Sequence, residues 1–300
     1  MALSILEPER VLKVWGGERL ARWFGRSWGG AVGEALLCHI RNGRSNRIIA
    51  GSGAGLTLLE LARRKTTALG KFSPEEFPII CKLIAPVSAN ISVQVHPDRQ
   101  HLANPSDEPK EEVWYVVEVT RRPAVVAGLK VSPSQFLFAD DKRRLLDFLD
   151  VQPADVLRLP AGSVHSLIAG NTVFEVSTNS DTTYRLWDWG RQERTLHIEE
   201  AVNAATGAKV EPMKGKEQTT SYGLVTRFDA GFCLLEQHDA IGGEVAIETR
   251  NRFAVIAVLW GEFSDGRHIL SRGVTAFLHA HTRITLTVVS PGRFLLVRPQ

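Results

Sequence analysis

The segment from Ser92 to Asp98 carries the first side chains whose types and spacing could do chemistry. If this segment is a strand, Ser92, Gln94 and His96 share one face, because strand side chains alternate with a period of two. An imidazole and an amide oxygen on one face can both bind a metal ion. Taken alone, the pattern is also that of the solvent-facing side of a strand, where polar residues are ordinary.

Two further segments offer ligands of the same kind. Glu112 opens a β-rich run between Lys110 and Tyr115 and places a carboxylate at a strand end. His165 follows a Pro-Ala-Gly turn and begins another strand. A lone Glu or His at a strand end is usually a solvated residue without a metal. Together the candidates form a mixed oxygen and nitrogen set that suits Zn²⁺ and admits Mn²⁺ or Fe²⁺: Gln94, His96, Glu112 and His165.

The elements that must position these side chains are mostly strands. Short alternating or apolar runs recur along the chain and are separated by turn residues. Examples are residues 91–96, 113–119, 173–176 and 253–260. Helical signals are few: one follows Thr57, one is a capping-box spacing from Ser73 to Glu76, and one lies near Leu196. The sequence therefore predicts a mainly β protein with a few helices near the N-terminal barrel.

The length of 300 residues leaves room for two cores of modest size. Between Asn203 and Thr220 the chain turns polar and rich in Gly and Lys, and strand-like runs resume at Tyr222. His279 and His281, in the last part, are interpreted as solvent-facing residues of a barrel strand rather than as a second metal pair. We predict two jelly-roll-like β-barrel domains. The divisions are 1–205, a catalytic domain with the metal site, 206–221, a linker, and 222–300, a small barrel without a metal site.

Composition and charge exclude several classes of protein. Hydrophobic residues make up 44% and charged residues 23%, as in ordinary globular proteins. The formal net charge of +3 is too small and too evenly spread for a nucleic-acid surface. No apolar run approaches the ~20 residues of a membrane span, and residues 1–17 do not resemble a signal peptide. Cys38, Cys81 and Cys233 have no disulfide or metal spacing, so we expect a reduced, cytoplasmic protein. From the charge and the lack of an apolar span, we also expect that it binds neither nucleic acid nor membrane.

Four runs resemble, in order, those of the type I mannose-6-phosphate isomerases of the cupin superfamily. They are SVQVHPD at 92–98, KEEVWY at 110–115, PAGSVH at 160–165 and SDTTYR at 180–185. The resemblance extends over residues 13–201. It implies cupin barrels, one zinc ion and an aldose–ketose isomerase that acts on a sugar phosphate such as mannose-6-phosphate through an enediol intermediate. The sugar, the physiological metal and the oligomeric state stay open.

The same resemblance implies roles for individual residues. The zinc ligands of the family correspond to Gln94, His96, Glu112 and His165. The family's arginine after the Ser-Asp run corresponds to Arg185, which would stabilise negative charge on the enediol. The lysine two residues before the metal-binding glutamate corresponds to Lys110, which would act either as the general base or as a phosphate ligand. Lys82 and Ser92 are expected to contact the substrate, Lys82 at its phosphate.

Alternatives remain for these roles and for the function. Arg185 could instead be a surface residue paired with an acid such as Asp188. His101 or Glu111 could replace Lys110 as the base. The protein could also be a non-catalytic cupin that binds a metal and a sugar phosphate, because a fold and a ligand site do not establish catalysis. An iron cupin oxygenase is less compatible, since a glutamine stands where that class normally has its first histidine.

Overall fold

The computed structural model describes residues 2–300 and confirms the mainly β class. Across this range the chain forms 24 strands and four α-helices. The first strands are β1 (Leu3–Leu6), β2 (Glu9–Gly17), β3 (Val32–Cys38), β4 (Ile40–Arg41), β5 (Arg44–Ser45), β6 (Ile48–Gly51), β7 (Ile79–Ile84), β8 (Val93–Val95), β9 (Glu112–Val119), β10 (Ala124–Leu129), β11 (Leu146–Asp150), β12 (Val156–Leu159), β13 (Val164–Leu167), β14 (Asn171–Thr178) and β15 (Tyr184–Trp187). The remaining strands are β16 (Glu211–Pro212), β17 (Lys216–Thr219), β18 (Gly223–Asp229), β19 (Cys233–Ala240), β20 (Glu244–Glu248), β21 (Ala254–Ser264), β22 (Ile269–Ser271), β23 (Thr275–Leu278) and β24 (Arg283–Pro299). The helices are α1 (Arg19–Trp23), α2 (Leu58–Arg64), α3 (Pro133–Phe138) and α4 (Ile198–Ala204).

A seven-stranded antiparallel sheet, in the order β16-β12-β9-β14-β7-β3-β2, forms the middle layer of the molecule. One face packs on a five-stranded sheet, in the order β11-β10-β13-β8-β15, as in a cupin-like barrel. The other face packs on a sheet in the order β17-β18-β19-β24-β21-β23-β1-β6, which β20 and β22 extend. Neighbouring residues of β9 point to opposite faces, so Trp114 joins the first apolar cluster and Tyr115 the second. The middle sheet is therefore covered on both sides.

The N-terminal and C-terminal parts of the chain contribute strands to one sheet and side chains to one hydrophobic core. β1 pairs antiparallel with β23, with Leu3 opposite Leu278. The largest apolar cluster includes Phe77 and Phe253, whose rings stack with centroids 5.0 Å apart. Within 206–221, β16 pairs with β12, and β17 pairs with β18. The placement of the domain boundaries stays a prediction.

Helices α2 and α4 lie where the sequence places helices. The Ser73 hydroxyl accepts the backbone N–H of Glu76 and donates to the Glu76 carboxylate, both at 3.1 Å, yet the segment is a turn in the described chain. Pro78 is the reason, because the residue before a proline favours extended backbone and here leads into β7. The sequence patterns do not anticipate α1 or α3, although α3 begins at a capping box of Ser132 and Gln135. None of the helices within residues 2–300 has the length and apolar character needed to cross a membrane.

His279 is buried, which corrects the prediction that it faces solvent. Strand β1 covers it: the Ser4 hydroxyl donates to the Ser52 carbonyl at 2.6 Å, so its oxygen accepts the Nε2–H of His279 at 3.1 Å. Nδ1 has no hydrogen-bond partner among the described residues. Burial, followed by the charge of Lys65, lowers the pKa of His279 to about 4. His281 is exposed, as expected.

We expect His279→Gln to flatten the acid side of the pH–stability profile. Between its folded pKa of about 4 and the ordinary 6.5, the imidazole takes up a proton only in the unfolded chain. Its contribution to stability is therefore complete above pH 6.5 and is lost as the pH falls toward 4. Glutamine keeps a donor for Ser4 and does not titrate. Urea unfolding between about pH 7 and 4.5 should show the wild type losing about 1–3 kcal/mol more than the variant.

The matched control is His281→Asn, because His281 is exposed and adopts a left-handed backbone conformation that asparagine tolerates. This control should lose as much stability on acidification as the wild type. Equal acid losses in His279→Gln and the wild type would contradict the burial of a neutral imidazole.

Candidate metal centre and active site

Three of the predicted ligands converge where the seven-stranded and five-stranded sheets meet. His96 follows β8, Glu112 begins β9 and His165 lies in β13. His165 is paired with Gln94 across β13 and β8. One ligand atom from each of the three ionisable side chains lies within 4.8 Å of the other two, and all three residues are buried.

Backbone carbonyls fix the orientation of both imidazoles. His96 Nδ1 lies 2.8 Å from the carbonyl oxygen of Thr182, and His165 Nδ1 lies 3.0 Å from that of Ser163. A carbonyl only accepts, so Nδ1 carries the proton in each ring and Nε2 keeps its lone pair. The two Nε2 atoms lie 3.0 Å and 3.8 Å from the carboxylate oxygens of Glu112. Within the described chain, His96 Nε2 and Glu112 Oε2 have no hydrogen-bond partner.

This donor set fits a metal ion. Two neutral imidazole nitrogens and a carboxylate suit Zn²⁺, and a metal-binding histidine usually donates its other N–H to a carbonyl or carboxylate. A cation at the centre would satisfy lone pairs that are otherwise buried without partners. Gln94 differs in detail, because its amide nitrogen lies 3.4 Å from His165 Nε2 while its oxygen accepts the hydroxyl of Ser92. A rotation of the amide would turn its oxygen toward the centre.

Glu112 is ionised although it is buried. Burial raises the pKa of its carboxyl, but the ammonium of Lys110 at 2.6 Å and the contact with His96 outweigh burial and hold that pKa well below its usual range. Burial and then the charge of Lys110 lower the pKa of His96 to about 4, and burial also lowers the pKa of His165. At neutral pH the site thus presents one carboxylate and two neutral imidazoles, which are the protonation states that metal binding requires.

Alternating charges continue from Glu112 through the middle sheet. Lys110 Nζ lies 3.6 Å from Glu175, while Lys82 Nζ lies 3.2 Å from Glu175 and 3.7 Å from Glu34. Burial and then the charge of Glu112 raise the pKa of Glu175. Burial opposes the charge of Lys82, but Glu175 and Glu34 outweigh it and raise the pKa of its ammonium. The neighbouring carboxylates therefore favour the charged form of Lys82, whereas burial and the nearby Glu112 disfavour the charged form of Glu175.

The sequence patterns do not single out Glu175 or Glu34. Glu175 lies in a run of buried residues on β14, and its carboxylate accepts the indole N–H of Trp114 at 3.0 Å. Glu34 also binds Lys13, whose ammonium lies 3.0 Å away at the partly exposed end of the network. A lone charge inside an otherwise apolar strand is the signal that could have found Glu175, because such a residue is rarely buried without a partner.

We expect Lys82→Met to destabilise the protein by about 3 kcal/mol, because it leaves the carboxylates of Glu175 and Glu34 buried with less compensating charge. Adding Glu175→Gln should recover most of the loss, since glutamine keeps an acceptor for Trp114 without a charge. Denaturant unfolding of the metal-free protein measures both changes. Lys13→Met is the control and should cost below about 1 kcal/mol. A double variant no more stable than Lys82→Met would argue against the network.

A cavity of about 740 Å³ opens beside the ligands. Sites for small molecules commonly have volumes of about 300–1,000 Å³. Every residue predicted to act on or contact the substrate borders this space together with two of the predicted ligands. The predicted site residues that line it are Lys82, Ser92, Gln94, Lys110, Glu112 and Arg185.

Arg185 borders the cavity without an ion pair in the described chain. The alternative partner, Asp188, is occupied by Arg191 at 2.6 Å and by Arg194 at 2.9 Å. Arg185 donates from Nη1 to the Thr195 carbonyl, and its Nε has no hydrogen-bond partner within residues 2–300. Burial and then the charge of Arg194 lower the pKa of Arg185. The guanidinium is therefore available to an anionic group in the cavity.

The other two candidates for the base do not line the cavity. His101 Nδ1 lies 2.6 Å from the carboxylate of Asp98, and Glu111 lies 3.4 Å from the guanidinium of Arg158. Lys110 is buried and borders the cavity. Of the three candidates, Lys110 alone is placed to meet a ligand there.

The fold and the site together define a cupin-type β protein with a buried, metal-capable centre beside a cavity. No protein-family model matches the chain. The chain is 32% identical over 213 residues to the probable mannose-6-phosphate isomerase GmuF of Bacillus subtilis (strain 168), a match that covers 67% of each chain. It is 26% identical over 280 residues to the mannose-6-phosphate isomerase ManA of the same organism, covering 88% of this chain and 87% of that one.

The fold is also that of a solved structure. The crystal structure of the mannose-6-phosphate isomerase from Bacillus subtilis matches with a TM-score of 0.89 over 100% of both chains, at 24% identity. The chain belongs to the mannose-6-phosphate isomerase family. It is thus an enzyme of the aldose–ketose isomerase class, and neither the oxygenase nor the non-catalytic alternative is supported.

Proposed function

We propose that the enzyme interconverts mannose-6-phosphate and fructose-6-phosphate with one zinc ion per chain, in the cytoplasm. The observation that carries the proposal is the orientation of two imidazole lone pairs, those of His96 and His165, toward the ionised Glu112. These three residues and Gln94 are the proposed ligands. The names of the relatives support the choice of substrates.

The reaction moves a proton between C1 and C2 of the sugar and another between their oxygens, through an enediol. When bound, zinc would polarise the substrate's carbonyl and hydroxyl oxygens. Lys110 is the proposed carrier of the carbon-bound proton: its unprotonated amine would accept the proton from one carbon, and the resulting ammonium would return it to the other. Its place beside Glu112 supports this role over phosphate binding, because the carbon atoms that react must lie close to the metal ligands.

Three other residues complete the proposed site. Arg185 would stabilise the negative charge that develops on the enediol oxygens. Its guanidinium forms no ion pair in the described chain, because Asp188 is paired with Arg191 and Arg194. Lys82 and Ser92 are the proposed substrate contacts, because both line the cavity. Ser92 also holds the amide of Gln94 through its hydroxyl.

A coupled assay of the purified protein tests the proposal. The zinc-loaded enzyme should convert mannose-6-phosphate and fructose-6-phosphate in both directions, lose activity on chelation and regain it with zinc. In D₂O, the product should carry deuterium at carbon where the transferred proton exchanges with solvent. Glucose-6-phosphate in the same assay measures discrimination between the two aldoses. Saturable binding of both proposed substrates without turnover would contradict the proposal.

We expect Arg185→Ala to lower kcat by about 10²–10³, as the loss of one oxyanion donor does. The zinc content should not change, because Arg185 is not a ligand. Arg185→Lys should restore only part of the rate, since an ammonium cannot reproduce a planar two-pronged contact. Arg144→Ala is the control, because the Arg144 side chain is 87% exposed and pairs with Asp141. A folded, zinc-loaded Arg185→Ala enzyme with full kcat would rule out the role.

A further inference from the structure

We propose that Arg41 is a positioning residue for His96. Arg41 lies in the β4–β5 hairpin, and its guanidinium reaches the turn between β14 and β15. There it donates to the carbonyl of Asn179 and, at 2.6 Å, to the carboxylate of Asp181. The same turn presents the Thr182 carbonyl that accepts the Nδ1–H of His96 at 2.8 Å. The inference rests on the proposed function, because it concerns one of the proposed metal ligands.

Hydrogen bonds join the β4–β5 hairpin and the β14–β15 turn, with donors on both sides. The side-chain amide of Asn179 donates to the carbonyl of Ile40, the residue before Arg41, at 3.0 Å. On the other side of the turn, the Ser180 hydroxyl donates to the Glu108 carbonyl at 2.6 Å. The turn is thus held between the hairpin and the segment that leads into β9. Arg41 supplies the charged contacts on the hairpin side.

The contribution of Arg41 is geometric more than energetic. Asp181 is 69% exposed, and an exposed ion pair adds little stability. The planar guanidinium, however, contacts a carbonyl and a carboxylate at once, which fixes the direction of the turn. If the turn moves, the Nδ1–H of His96 loses its acceptor. The imidazole could then rotate or carry its proton on Nε2, and neither state presents the lone pair to a metal ion.

The test is the affinity for zinc, measured by competition with a chromophoric chelator. Arg41→Met should weaken zinc binding about tenfold, at the lower end of the effect of groups that orient a ligand. Arg41→Lys should recover part of the affinity, because an ammonium keeps a positive donor group but cannot reproduce the planar two-pronged contact. Arg44→Met is the matched control: Arg44 lies on the same hairpin, but its side chain is 73% exposed and pairs with Glu9. This control should bind zinc as the wild type does.

His96→Ala separates the inference from the proposed function. If His96→Ala keeps full zinc affinity, the proposed metal site is wrong. If His96→Ala loses zinc while Arg41→Met binds it within about twofold of the wild type, the role of Arg41 alone is wrong. Equal losses of zinc affinity in Arg41→Met and Arg44→Met would indicate a general effect of the hairpin and overturn the inference. An increase in KM with unchanged zinc affinity would also overturn it, in favour of a substrate contact.

If Arg41→Met does not fold, Asp181→Asn takes its place. This change keeps the shape of the side chain and weakens one of the two guanidinium contacts. We expect roughly threefold weaker zinc binding, because the contact to the Asn179 carbonyl remains. An unchanged zinc affinity in Asp181→Asn would overturn the inference.

Discussion

The carboxylate of Glu112 must stay charged although the side chain is buried, and neighbouring charges make this possible. An isolated buried carboxylate would take up a proton, because burial disfavours the charged form. Lys110 supplies the compensating charge, and Glu175 shares Lys110 with it. Glu175 in turn needs Lys82. Each member depends on its neighbours, since removing one partner leaves a buried charge without compensation.

The middle sheet makes this arrangement possible. Its strands β9, β14 and β7 lie side by side and carry Glu112, Glu175 and Lys82 toward the barrel interior. The five-stranded sheet and the segment after β8 supply the two imidazoles from the opposite side. The C-terminal sheet covers the other face, where the Tyr115 hydroxyl donates to Gln237 at 2.8 Å. The metal-capable centre therefore lies where two sheets meet, and the third sheet covers the opposite face of the middle one.

Local patterns predict the mainly β class and several strands, because alternation is a property of the segment itself. The family resemblance supplies the ligand set, and the structure brings its three ionisable members together. What depends on distant parts of the chain could not be predicted. His279 is buried because β1, from the other end of the sequence, covers it. Ser73 and Ser132 carry the same capping signal, yet only Ser132 starts a helix, since Pro78 favours extended backbone directly after the Ser73 segment. The apolar run around Glu175 marks it as unusual, but its partners lie on neighbouring strands, so its place in the charge network depends on the folded sheet.

The central claim is that one metal ion binds between the two imidazoles and the carboxylate. Anomalous diffraction at the zinc absorption edge, from crystals of the zinc-loaded protein, tests it most directly. The account predicts one strong peak per chain, within bonding distance of the Nε2 atoms of His96 and His165 and of a carboxylate oxygen of Glu112. The absence of a peak at this position in fully zinc-loaded crystals, or a strong peak bound by other residues instead, would contradict it.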